Sequence, residues 1–443
     1  MIPETALPRH LNESVQMKSG YLDFRIEKLG ECSMPSPFSG MQFIDDRRRA
    51  VYHRDLADIS GFFRSGKEPP AMELAGPRER IFFDPSDLSC GIVTCGGLCP
   101  GLNDVIRSIV ISLFHHYGVK TVYGFQYGFE GLVLRCGHKP LELTPQSVAG
   151  INKFGGTFLG SSRGPQDVSE MTDTLERLKV GILFAIGGDG TLRGAQAIND
   201  EARRRKLRTA VIGVPKTIDN DISYIDRSFG FLTAVSEARK AIASAHSEAY
   251  GARNGVGLVK LMGRDSGFIA AHSVLSENEV NFCLIPEVPF SVETLLAALE
   301  ERLRRRSHAV IVVAEGAGRH IPGGPRECDA SGNVRYGDIG LYLRDRIKEH
   351  FAGIGMALNM KYIDPSYIIR SVAADANDSA FCLLLGHNAV HAGMTGRTGM
   401  VVGNWAGRFT HVPIRLAVSE RKKIDPKGRV WSSVLAATGQ PAM

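Results

Sequence analysis

An α/β fold of two doubly wound, Rossmann-like parallel-sheet domains facing one cleft, preceded by an N-terminal extension, is predicted by three features of the chain. From Gly91 onward, short apolar runs are followed by glycine-rich turns and then by amphipathic stretches. This unit recurs up to about residue 223, and the second half of the chain repeats it. Short apolar runs bounded by turns read as buried strands, and apolar residues at helical spacing read as crossover helices. Their alternation builds a parallel sheet that takes ligands at the carboxyl ends of its strands.

Taken in order, residues 1–85 are charged, punctuated by Pro35, Pro37, Pro69 and Pro70, and weakly periodic, which predicts an arm rather than a core. GIVTCGG from Gly91 is the first strand and its turn. It runs into a helix over Asp104 to Phe114, where Val105, Ile106, Ile109, Val110 and Leu113 share a face. Val180 to Ile186 is a second strand, followed by a helix striped by Leu192, Ala195, Ile198 and Ala202. Thr209 to Val214 is a third, cut off by Pro215, which cannot continue a ladder. In the second half, Val256 to Met262, Phe282 to Ile285 and Ala309 to Ala314 read as buried strands. Val292 to Arg306 reads as a helix with Leu295, Leu296, Leu299 and Leu303 inward. The expected division is an extension over 1–85, a first α/β domain over 86–223 and a second over 224–399. The boundary falls between Asp221 and Phe229, and the chain crosses back near Met400, so that part of 400–443 completes the first domain.

The chain has 443 residues, enough for two or three domains, and its 43% hydrophobic and 23% charged composition is that of a globular enzyme. A net charge of +6 suits anionic phosphate ligands but lacks the clustered basic face of a nucleic-acid binder. No apolar run approaches the ~20 residues that span a bilayer. Eight scattered cysteines without a charged-then-apolar leader predict free thiols and a cytosolic setting. Cys95 and Cys99 form a CxxxC pair, but no second pair stands at zinc spacing.

Chemistry concentrates between Ala185 and Asp221. In AIGGDGTLRGA a carboxylate stands between glycines at a strand end, where backbone N–H groups can approach polyphosphate oxygens and Asp189 can hold a metal ion. An aspartate there has little structural use, since it is a poor strand former. VIGVPKTIDND sets Asp219 and Asp221 beside Thr217 and Lys216. One carboxylate can take an acceptor hydroxyl's proton while the other organises the loop or a cation. Gly96 and Gly97, before Pro100, Gly101 and Asn103, serve either a nucleotide or only a tight turn. Arg163, after a Gly- and Ser-rich loop, is placed for phosphate oxygens or is a surface arginine. Arg264 emerges at the end of VGLVKL, Glu315 ends the next strand and can bond sugar hydroxyls, and Arg370 in PSYIIRS can clamp a second phosphate. Each of these has a surface ion pair as its plain alternative. Together with Asp189 and Asp219 they point to a sugar-phosphate kinase.

In this order, GGLCPGLND, GGTFLGSSRGPQD, GGDGTLRGA, GVPKTIDND, VKLMGRDSG, AEG and DPSYIIR resemble the phosphofructokinase family from about Gly91 to about Gly403. The likeness is to its longer branch, of pyrophosphate-dependent enzymes and the ATP-dependent enzymes of plants and kinetoplastids. The resemblance implies that Gly97, Arg163, Gly164, Gly188, Asp189, Gly190, Thr191 and Lys216 bind ATP, with Asp189 on Mg2+. It makes Asp219 the base, with Thr217 and Arg264 catalytic beside it. Thr217, Ile218, Asp219, Met262, Gly263, Arg264, Glu315, Tyr367, Ile368, Ile369 and Arg370 would line the fructose 6-phosphate site. It also implies a cytosolic, allosteric homotetramer, and the ending GQPAM is not an SKL-type organelle address.

Pyrophosphate-dependent relatives share the lysine matching Lys216 but carry GGDD where this chain has GGDG, so Gly190 favours ATP. Where short bacterial members place an arginine that enters the neighbouring subunit's site, this chain has Gly255, leaving Arg253 or Lys260 as substitutes. Arg107 stands where one effector-contacting arginine would fall. Rival classes are incomplete matches. NAD and diacylglycerol kinases share GGDGT but lack the PKTIDND and MGR pair. A non-catalytic regulatory subunit should have lost Asp189, Asp219 or Arg264. A Rossmann dehydrogenase should show GxGxxG, which does not occur over Gly91 to Gly101.

Overall fold

The computed structural model describes residues 22–38, 42–319, 321, 327–328, 334–335 and 337–442. In chain order the principal strands are β1 Arg49–Val51, β2 Ala71–Leu74, β3 Ser89–Thr94, β4 Thr121–Phe125, β5 Leu141–Glu142, β6 Val180–Gly187 and β7 Ala210–Pro215. They continue with β8 Gly255–Leu261, β9 Phe282–Leu284, β10 His308–Ala314, β11 Asn359–Ile363, β12 Met400–Trp405 and β13 Arg408–Pro413. The principal helices are α1 Leu102–Ile111, α2 Asp189–Arg204, α3 Phe231–Tyr250, α4 Phe268–Ser276, α5 Val292–Arg306, α6 Ile339–Gly353, α7 Ala376–Met394 and α8 Arg429–Thr438.

A nine-stranded sheet runs in the order β1-β2-β13-β12-β7-β6-β3-β4-β5, with β12, β7, β6, β3 and β4 parallel and antiparallel strands at both margins. A second sheet, β9-β10-β8-β11, is parallel throughout. Side chains alternate faces along a strand, and β6 shows why both faces are apolar. Ile182, Phe184 and Ile186 pack with α1 and α7, while Leu183 and Ala185 pack with Leu192, Ala195 and Ile198 of α2. In the second sheet, Val259, Leu261, Val310 and Val312 join Ala234, Ala238 and Ile242 of α3. That core is continuous with the one between the first sheet and α1, through Ile218 and Phe229. The opposite face, with Val256, Leu258 and Ile311, buries Leu295 and Leu299 of α5 and Leu343 and Ile347 of α6.

The six strands expected from the sequence, β3, β6, β7, β8, β9 and β10, lie within a residue or two of their observed bounds, and α5 matches end to end, whereas β4, β5, β11 and β13 were not expected as strands. Helix α1 continues as a π-helical turn over Ser112–Tyr117. Residues 22–85 are not a bare arm. β1 and β2 extend the first sheet, and Met72, Leu74, Ile81 and Phe82 are buried. The rest of the expected extension, 1–21 and 39–41, lies outside the described residues. The chain rejoins the first sheet at Met400 as β12, parallel to β7, and then returns to the second, where the Gln440 side chain bonds both backbone groups of Cys283 on edge strand β9. Among the described residues no helix is long and apolar enough to cross a membrane.

Candidate active site

Neighbouring strands β3, β6 and β7 end in three turns that converge. After β3, Gly96 takes φ 87°, open to glycine at little cost, and a Cβ there would stand 3.2 Å from Lys216 Nζ. A Cβ on Gly97 would stand 3.3 Å from Arg163 Nη2 and 3.8 Å from Arg370 Nη1. Lys216, just beyond β7, donates from Nζ to the Gly97 carbonyl at 2.6 Å. Three cationic side chains, one of them from the second sheet's side of the molecule, therefore gather over one glycine turn. Lys216 is only 6% exposed, and burial holds its ammonium below the usual lysine range. A phosphate placed here would find guanidinium forks and an ammonium already desolvated.

Helix α2 opens at the end of β6 with Asp189 as its first residue after Gly188. Its carboxylate is 3.1 Å from Arg193 Nε one turn on. A Cβ on Gly188 would press to 3.3 Å on the Lys216 carbonyl, whereas around Gly190 there is open space. Thr191 is buried against Gly187, and Gly164 after Arg163 has φ 102°. A helix N-terminus with a carboxylate flanked by two glycines, one of them facing open space, suits a polyphosphate and its cation. Mg2+ typically takes one or two protein carboxylates and leaves its other positions to phosphate and water. Among the described residues, no group of three or more His, Cys, Asp or Glu is arranged to hold a metal by itself. The Cys95 and Cys99 thiols are both buried, which pushes Cys95 up to about 12 and Cys99 higher still, and Cys99 Sγ donates to the Phe229 carbonyl at 3.2 Å.

The loop after β7 separates its two aspartates by their partners. Thr217 Oγ1 donates to Asp221 Oδ1 at 2.8 Å and accepts from the Asp219 N–H at 3.2 Å. Asp221 thus organises the loop, while Asp219 Oδ1 is buried without a hydrogen-bond partner. Asp219 is 8% exposed, and its carboxyl is pushed up to about 7. Burial is the largest cause, then the charges of Asp221 and Glu315, opposed by Arg264 and Lys216. The loop is held from outside by Ser228, which donates to the Thr217 carbonyl at 2.5 Å, and by Ser266, which donates to the Asp219 carbonyl at 3.3 Å.

From the second sheet, β8 ends in Met262, Gly263 (φ 141°) and Arg264 (φ 49°). A left-handed arginine costs on the order of 1–3 kcal/mol and persists only where its surroundings impose it. Here Glu315 Oε1, at the end of β10, accepts from Arg264 N–H at 2.9 Å, and Arg319 Nη2 donates to the Arg264 carbonyl at 3.2 Å. Gly316 makes room, since a Cβ there would stand 1.7 Å from that carbonyl. After β11, a short helix over Ser366–Ser371 carries Tyr367, 75% exposed, with the Arg370 guanidinium 4.6 Å over its ring. Ile368 is also exposed, but the side chains of Ile218 and Ile369 are buried, so only their backbones can meet a ligand. Gly255 starts β8 where a Cβ would stand 2.0 Å from the Ala249 carbonyl, leaving no room for an arginine. Lys260 is paired with Asp338 at 2.6 Å and Asp364 at 2.8 Å.

The motifs did not reveal Arg319, Asp265 or Arg421, whose partners lie far off in sequence, nor Ser228, whose partners lie 8 and 11 residues back, nor Tyr127. That aromatic, half exposed with φ 57°, ends β4 beside Gly160 of the Arg163 loop. Only the position after an apolar strand could have marked it.

Comparison with known proteins shows the family and the fold. The family model described as Phosphofructokinase matches residues 89–393. The ATP-dependent 6-phosphofructokinase of Borreliella burgdorferi is 48% identical over 440 residues, 96% of this chain and 98% of its own length. That of Trypanosoma cruzi is 48% identical over 377 residues, covering 84% of this chain and 77% of the relative. Among solved structures, the pyrophosphate-dependent phosphofructokinase of Marinobacter aquaeolei superposes with a TM-score of 0.65 at 18% identity, over 80% of this chain and 91% of that one. The phosphofructokinase of Saccharomyces cerevisiae gives 0.62 at 23% identity, over 80% and 47%.

Proposed function

We propose that this chain, which belongs to the phosphofructokinase family, transfers the γ-phosphoryl group of ATP to the 1-hydroxyl of fructose 6-phosphate, giving fructose 1,6-bisphosphate and ADP. The observation that carries the reading is Asp219: a buried carboxylate with one oxygen unpartnered, between the cations Lys216 and Arg264, on a loop joining the two sheets. In this reading Asp219 accepts the proton of the attacking hydroxyl as the oxygen–phosphorus bond forms. Arg264 and Lys216 balance the charge spread over the transferred group, and Arg163 with the Gly96–Gly97 turn holds the donor's phosphates. Bound at Asp189, Mg2+ would supply charge neutralisation at the donor's phosphates. Glu315, Tyr367 and Arg370 orient the sugar phosphate.

ATP rather than pyrophosphate is supported by the named ATP-dependent relatives at 47–48% identity and by the open Gly190. The test is steady-state assay of the purified protein with fructose 6-phosphate and Mg2+, with ATP or pyrophosphate as donor. Turnover with pyrophosphate as efficient as with ATP would overturn the donor assignment, and none with either would overturn the reaction. The cytosolic homotetramer belongs to the same proposal, and sedimentation at about four times the 48.2 kDa chain mass checks its stoichiometry.

A further inference from the structure

Behind the cleft, four side chains alternate in sign. Asp221 Oδ2 lies 3.9 Å from Arg421 Nη1, and the same nitrogen lies 3.1 Å from Asp265 Oδ2. Asp265, next in sequence to Arg264, also pairs with Arg319, the residue that donates to the Arg264 carbonyl. The chain of charges thus joins the loops after β7, β8 and β10 through a residue from the segment between β13 and α8. That segment is itself seated on the first of these loops. Ile222 and Arg421 form an antiparallel bridge, Lys422 N–H donates to the Asp221 carbonyl at 2.8 Å, and Ser223 Oγ donates to the Glu420 carbonyl at 2.9 Å. Glu287 Oε1 then accepts from both Ile424 N–H and Gly267 N–H at 3.0 Å, fixing the segment to the loop after β8 as well.

Asp219 and Arg264 come from different sheets, and their loops present like charges, Asp221 and Asp265, to the space between. The one other side-chain bond between these loops described above is the long Ser266 contact. Two carboxylates facing each other repel unless a cation stands between them, and a guanidinium can serve both at once. We propose that Arg421 is a positioning residue for phosphoryl transfer, holding the Asp219 loop and the Arg264 loop at the separation the reaction needs. In this role it acts through the two loops rather than on either substrate. This rests on the kinase reading above.

The test compares the purified full-length protein with Arg421→Ala, Arg421→Lys and Asp265→Asn in steady-state assays with ATP and fructose 6-phosphate. Small displacements of reacting groups are costly, so Arg421→Ala should lower kcat by roughly 10- to 100-fold. KM for ATP should stay within about twofold, since the donor turns after β3 and β6 are not part of this chain of charges. Arg421→Lys should recover part of the loss, by charge without the fork. The double variant Arg421→Ala with Asp265→Asn should be no slower than the worse single one, as expected of groups acting in series. If Arg421→Ala does not fold, Arg421→Gln, neutral and of similar reach, takes its place. A kcat within twofold of the unmodified protein, no recovery with lysine, or additive losses would overturn the inference. Absence of turnover in the unmodified protein would instead overturn the kinase reading, and this with it.

Discussion

Replacing Asp219 with Asn should disable the enzyme and stabilise the fold at the same time. The carboxyl stands at about 7 instead of 3.8 because it is buried, and because Asp221 and Glu315 face it. A value raised by folding means that the native state holds the proton more tightly than the unfolded chain does. Stability is then undiminished below about pH 4, falls as pH rises from there, and is lowered in full above about pH 7. At ~1.4 kcal/mol per pH unit, that interval corresponds to up to ~4 kcal/mol. Asn escapes this cost but leaves a buried amide where Asp219 Oδ1 has no partner, at about 1–3 kcal/mol. The variant should therefore melt a few degrees above the unmodified protein at pH 8 and no higher than it at pH 4. Its kcat should fall by a factor on the order of 10² to 10⁴, as for other positioned bases. In the unmodified enzyme, kcat/KM should rise about tenfold per pH unit below pH 7 and level off above it. Thermal melts across pH and steady-state kinetics test both halves. A melting difference that does not grow from pH 5 to pH 8 would refute the burial argument, and a kcat within a few-fold would make Asp219 a binding residue.

Arg264→Ala should lower kcat and kcat/KM together, because its guanidinium counts most when charge spreads in the transition state. Arg370→Ala, stacked on the exposed Tyr367, should chiefly raise KM for fructose 6-phosphate, and identical kinetic profiles would contradict this division. Gly316→Ala puts a Cβ at 1.7 Å from the Arg264 carbonyl, so it should reproduce the kcat loss of Arg264→Ala while calorimetry finds ATP binding unchanged. In Gly190→Asp the new Cβ meets no atom within 4 Å, and an acidic residue in a helix's first turn is favourable, so its melting temperature should hold. ATP turnover should nonetheless drop by ~100-fold or more through repulsion of the donor's phosphates, and retained ATP use would sink the donor argument.

Six of the parallel strands, β3 and β6 to β10, were legible because burial leaves near-continuous apolar runs, and turns mark where each stops; β11, an edge strand with no fully buried residue, carries no such run. α5 was legible because four leucines at helical spacing admit one face only. β1 and β2 were not. They are short antiparallel strands, one of them carrying Glu73, and charge in a short segment reads as solvent-facing. Its partners, Arg397 Nε at 2.8 Å and His411 Nδ1 at 3.3 Å, lie more than 300 residues away in sequence. A buried carboxylate is tolerable only with such partners, so the pairing that seats residues 42–85 on the sheet exists only in three dimensions.

The same division runs through the active site. A turn that must let backbone approach a phosphate needs glycine at that position, whatever the rest of the chain does, so Gly97, Gly188 and Gly190 announce themselves locally. Asp189 and Asp219 follow because each sits in such a turn. What the turns do not announce is how two loops from separate sheets are kept in register, since any cation of the right reach could bridge Asp221 and Asp265. Arg421 lies in ERKKID, a charged run outside every motif that marked the site. Its neighbour Lys422 is also drawn inward, donating from Nζ to the Ile225 and Asp226 carbonyls, and burial lowers its ammonium to about 8. Two consecutive basic residues held against the Asp219 loop are difficult to account for as solubilising charge. Their cost in desolvation is met by contacts to the loop that carries Asp219 from the first sheet towards the second, which is where a constraint on catalytic geometry has the greatest leverage.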